Sequence, residues 1–157
     1  MRSEEVSPEL RELTFNFFHR FSRLEFALKE AGYLKNKNPG SWAIPDWDQF
    51  VAEWKDQYVP SENAVGLIEA APQEQVIAAD GRSVEFRDVA FHAQASTLGK
   101  VVKLARTVRN NLFHGGKHDA AGWDDAGRME LLLPLSTAVL GELALLAGVE
   151  SDYEGAY

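Results

Sequence analysis

Hydrophobic residues recur at helical spacing along most of the chain. From Pro8 to Ala31, Leu10, Leu13, Phe17, Phe21, Leu24, Leu28 and Ala31 fall three or four apart and line one face of a helix. Ser7 is a natural N-cap, Pro8 suits the first helical position, and Gly32 is a stop. A second stripe, Phe15, Phe18, Ser22 and Phe26, runs along the other side. A helix apolar on two sides needs two covers, and in a chain this short the second cover is expected to be another subunit. After the loop KNKNPGSWAIP, the residues Trp47, Phe50, Val51, Trp54 and Tyr58 predict a short amphipathic helix ended by Pro60, and 61–70 predicts another. The aromatic stripe of 42–58 reads as core rather than as a set of base-stacking residues.

From 75 to 89 the pattern changes to apolar pairs around Asp80-Gly81, the signature of a small hairpin. Helix is expected again from about 87 to 113 and from about 124 to 147, with Asp124 or Asp125 as cap and a kink or break at Pro134. The tail SDYEGAY is expected to fray. The resulting fold class is all-α, one domain over residues 1–157, with short extra helices and a small β-hairpin near 75–89.

Composition narrows the chemistry. The chain has no cysteine, which removes disulfides, thiolate metal sites and a thiol nucleophile. The N-terminus is polar and acidic, unlike a secretory signal, and no stretch reads as the roughly 18 uninterrupted apolar residues of a membrane span, so a cytoplasmic protein without membrane contact is expected. Net charge is −8, against broad nucleic-acid binding. Yet from Lys100 to His118 there are five basic residues (Lys100, Lys103, Arg106, Arg109, Lys117), two histidines and no acid. That basic island on an acidic body suits a local anion site.

The island contains LGKVVKLARTVRNNLFHGGKH. Leu98, Val101, Val102, Ala105, Val108 and Leu112 form the apolar stripe of a helix, and Arg109 stands on that stripe. A guanidinium there needs a partner, and Glu25, on the flank of the first helix's main stripe, is expected to supply it. Asn110 and Asn111 are poor helix formers but good polar ligands, and Gly115-Gly116 ends the helix directly after His114. Arginine grips phosphate bidentately and takes up transition-state charge, while histidine, with a reference pKa of about 6.5, moves protons at neutral pH. Together they form a minimal kit for cutting RNA. A metal site through His114, His118 and Asp119 is disfavoured by the intervening glycines, and GGKH lacks the spacing of a phosphate loop. His19 and His92 read as packing or surface residues, whereas Lys117 and His118 are candidate auxiliary phosphate contacts.

The segment Arg109-Asn110-Asn111-Leu112-Phe113-His114 resembles the R-x(4–6)-H motif of HEPN domains. The phrase RNNLFHGGK resembles those of HEPN proteins in bacterial defence and toxin systems, and FNFFHRFSRLEFALKEAGYL resembles the first helix of one bacterial HEPN subgroup. The resemblance implies a four-helix-bundle core that pairs into a homodimer with two motifs facing each other across a cleft. It also implies metal-independent cleavage of RNA by the adjacent 2′-hydroxyl, with no cofactor. Arg109 is then expected to hold the scissile phosphate, His114 to act as general acid or base, Asn110 to orient within the site, Asn111, Lys117 and His118 to contact substrate, and Glu25 to support the arginine. A cognate antitoxin or defence-system partner is a further expectation. The competing reading is a non-catalytic HEPN-like module that binds RNA, a nucleotide or a partner protein.

Overall fold

The computed structural model describes residues 6–114 and 126–155, with His114 placed only as the last residue of its helix. The elements are α1 (Pro8–Glu30), α2 (Trp47–Trp54), α3 (Glu62–Ala70), β1 (Glu74–Ile77), β2 (Val84–Arg87), α4 (Thr97–His114), α5 (Ala126–Leu146) and α6 (Glu150–Glu154). The protein is therefore mostly helical, with one short antiparallel hairpin among the described residues.

The ends of α1 follow from local chemistry. Ser7 Oγ accepts the Leu10 N–H at 3.0 Å, and Pro8 opens the helix. At the other end Gly32 adopts φ +86°, which lets Tyr33 N–H reach back to the Leu28 carbonyl at 2.9 Å and closes a Schellman turn. Asp46 and Ser61 cap α2 and α3 in the same manner. In the hairpin, Glu74 pairs with Arg87 and Ile77 with Val84, and Asp80 Oδ1 accepts the N–H groups of Arg82 and Ser83 at 2.9 Å each.

Helix α5 is the centre of the molecule. It packs against α1, α3, α4 and α6, and buries Met129, Leu132, Leu133, Val139, Leu140, Leu143 and Ala144. By length and composition it is apolar enough to cross a membrane, although no span was read from the sequence. Its surroundings account for the composition: a helix covered on several sides carries apolar residues on several sides. Pro134 lies inside α5, and the helix runs on past it to Leu146 without a break. Around this axis, Phe17, Phe21, Leu24 and Leu28 of α1, Leu67 of α3, Leu98, Val101, Leu104 and Val108 of α4, and Trp47 and Phe50 of α2 complete one core.

Two further expectations are corrected. Helix α4 starts at Thr97, not near 87, because Arg87 is still paired in β2, the Asp88 carboxylate accepts from Gln73 Nε2 at 3.0 Å, and it is Ser96 whose Oγ accepts Gly99 N–H at 3.1 Å. The tail is not frayed through residue 154. It forms α6, which buries Tyr153 and is clamped by Arg20, 2.9 Å from Glu154 and stacked over the Tyr153 ring at 5.1 Å. The proposed caps Asp124 and Asp125 lie outside the described residues.

Candidate active site

Arg109 emerges from the fourth turn of α4 toward α1. Its guanidinium is held on three sides. One Nη donates to Glu25 Oε1 at 3.0 Å, the other donates to Asn110 Oδ1 at 2.9 Å, and the flat face lies 5.1 Å from the centroid of the Phe21 ring. Of arginine's five N–H donors, two are engaged among the described residues. The Arg109 and Glu25 side chains keep 28% and 24% of their accessible surface, so this ion pair is sheltered but open to a ligand from one side. Sequence spacing explains why these groups meet. Phe18, Phe21, Ser22 and Glu25 share one face of α1, and Arg109 and Phe113, four apart, share one face of α4.

These six side chains line a pocket of about 290 Å3. Its rim is unusually apolar for an open surface. Phe18 is 44% exposed and Phe113 53%, and the two rings touch at 5.3 Å between centroids. Phe15, 68% exposed, extends the patch along α1. The pocket thus combines a fixed, partly neutralised cation with an aromatic border.

The remaining sequence-derived residues divide. Asn110 is exposed and stands beside Arg109. Asn111, expected to contact substrate, is 6% exposed and donates through Nδ2 to the Gln73 carbonyl at 2.7 Å. That bond ties α4 to the chain entering the hairpin, which gives Asn111 a structural task. His114 closes α4, and nothing of its side chain is described. Positions 109 and 114 are about 140° apart round the helix axis and about 7.5 Å apart along it. Lys117 and His118 lie outside the described residues, as does Asp119. Among the described residues no three His, Asp or Glu side chains form a group able to hold a metal ion.

Sequence reasoning did not assign Phe18, Phe21, Ser22 and Phe113 to this site. Phe18 and Ser22 stood in the second apolar stripe of α1 and Phe21 in its main stripe, so the signal was present. What was missing was knowledge of which stripe faces α4. Comparison of the chain with known protein families, curated proteins and solved structures returns no match.

Proposed function

We propose that this protein is a HEPN-type, metal-independent endoribonuclease that acts as a homodimer in the cytoplasm. Arg109 holds the scissile phosphate, Asn110 orients within the site, and His114 transfers protons while the adjacent 2′-hydroxyl attacks. The observation that carries the reading is the seating of Arg109. Glu25, Asn110 and Phe21 fix its guanidinium at the edge of a pocket while, among the described residues, its other three donors have no partner, the preorganisation that phosphate recognition rewards. A guanidinium needed only for packing would have no reason to face an open pocket with an aromatic rim.

The helical phase of the motif favours a dimer. Two side chains about 140° apart on one helix converge poorly on a single phosphodiester. Apposition of two copies brings each arginine toward the partner's histidine. The exposed Phe15, Phe18 and Phe113 beside the site offer the surface for that apposition. A role as a toxin or defence effector, held in check by a cognate partner, is consistent with a small site on an acidic body.

The test is incubation of purified protein with mixed RNA in EDTA. Wild type should cleave RNA and spare DNA. His114→Ala should lose nearly all activity with an unchanged circular dichroism spectrum. A wild-type protein that binds RNA but never cuts it favours the binding-module reading instead.

A further inference from the structure

A second and larger depression, about 620 Å3, lies between α2, α4 and the chain leading into α4. Three basic side chains line it: Lys55 at the end of α2, and Lys103 and Arg106 on α4. Two acids also line it, but both face cations of their own. Glu74 is paired with Arg87 at 3.1 Å and Asp48 lies 3.8 Å from Lys35. Among the described residues neither Lys55 nor Arg106 has a carboxylate partner. The Arg106 guanidinium instead lies over the buried Trp47 ring, 6.0 Å from its centroid. Lys103 is steered by its Nζ, which donates to the Ala90 carbonyl at 2.7 Å.

This cleft and the Arg109 pocket share a wall. The Trp47 ring packs on the Phe21 ring at 5.9 Å, so Arg106 and Arg109 lie against successive aromatic rings of one stack. Asn110, which accepts from Arg109, also lines the larger cleft. The two arginines are three residues apart on α4, just under one helical turn.

We infer that the α2–α4 cleft binds the phosphodiester next to the one held by Arg109, so that the protein grips a flanking nucleotide of single-stranded RNA through Arg106 and Lys103. The inference rests on the ribonuclease reading of the Arg109 pocket and extends it to a substrate class. Cations without carboxylate partners in a concave site select an anion, and the planar guanidinium selects phosphate oxygens. The acidic body limits such contacts to a short stretch of strand. A single strand is favoured over a duplex because the exposed Phe91 ring, within 6 Å of the ammonium groups of Lys100 and Lys103, offers a face on which an unpaired base stacks.

The probe is a fluorescent 2′-O-methyl oligoribonucleotide, which cannot be cut through its own 2′ position. Its binding is read by anisotropy across a salt series. The double variant Arg106→Gln/Lys103→Gln should weaken binding by about tenfold and flatten the log–log salt dependence by about 0.7, one phosphate contact on a single strand. Lys103→Gln alone, at an exposed position, should show part of the effect with no change in thermal melting. Lys37→Gln removes the same charge outside the cleft and should change neither quantity. Wild-type affinity and slope in the double variant, or no binding by the wild type, overturns the inference. Cleavage of the unmodified RNA reads the other claim separately. Active wild type with an unaltered double-variant slope sinks the cleft alone, and cleft-dependent binding without cleavage sinks catalysis alone.

Discussion

At the scale of single residues, the pair Glu25 and Arg109 shows what a sequence offers and what it withholds. An arginine on an apolar stripe demanded a partner, and Glu25, on the flank of the first helix's main stripe, was available. The 3.0 Å contact is the arrangement that demand anticipated. Nothing in either stripe, however, announced that Phe21 would supply the guanidinium's third support, or that Asn111 would turn inward to the Gln73 carbonyl. Both depend on which faces of two distant helices meet. If Glu25 positions Arg109, then Glu25→Ala should lower kcat by about tenfold with little change in KM, and Glu25→Gln, which keeps an acceptor, should recover much of the loss. Arg109→Lys should be nearly inactive while folded, since an ammonium cannot reproduce the bidentate fork.

A second residue makes a prediction about stability. The Tyr58 hydroxyl is buried with no hydrogen-bond partner among the described residues. Burial, and then the nearby Glu142 carboxylate, push its pKa from 10.0 up to about 12. The folded state therefore keeps a proton between those values that the unfolded chain releases. The contribution of this group to stability is complete below pH 10 and is lost as pH rises toward 12. Tyr58→Phe removes an unpaired hydroxyl from the interior. It should raise unfolding free energy by about 1 kcal/mol at neutral pH and reduce the alkaline loss, as read by denaturant titration at several pH values.

At the scale of elements, periodicity identified α1 nearly to the residue because its caps are chemical. Ser7, Pro8 and Gly32 each act as their side chains or backbone freedom dictate. The start of α4 was less legible, since 87–96 carries no breaker strong enough to outweigh the periodicity that follows. What decides it is pairing: Glu74 with Arg87 across the hairpin holds that end as strand, and Ser96 supplies the cap ten residues later than expected. Ser96→Ala should therefore cost about 1 kcal/mol of stability, measured by chemical denaturation, and loosen the first turn of α4 in hydrogen exchange. The tail escaped sequence reading for another reason. Polar SDYEGAY has no periodicity, and its order comes from the long-range hold of Arg20 and Arg23 on α6. Of the kink or break expected at Pro134, the break does not occur. Packing on four neighbouring helices keeps α5 continuous where local propensity argued for a break.

At the scale of the whole molecule, the two-sided apolarity of α1 is explained only in part by its own fold. One stripe is core, while Phe15 and Phe18 remain exposed beside Phe113 at the mouth of the Arg109 pocket. If that patch is where two copies meet, Phe15→Glu, outside the lining of the Arg109 pocket, should yield a folded monomer by light scattering at micromolar concentration. It should also lose activity without any change to Arg109, because the site draws on both copies. A variant that stays dimeric and active places the contact elsewhere.

The central claim is the chemistry assigned to Arg109 and His114, and analysis of the ends left on cleaved RNA tests it most directly. Attack by the substrate's own 2′-hydroxyl leaves a 2′,3′-cyclic phosphate and a 5′-hydroxyl, persists in EDTA and requires RNA, whereas metal-activated water attacks from outside the strand and leaves different ends. The account predicts cyclic phosphate and 5′-hydroxyl ends from the wild type and no such products from His114→Ala. Products with 3′-hydroxyl and 5′-phosphate ends, or cleavage abolished by chelation, would contradict it.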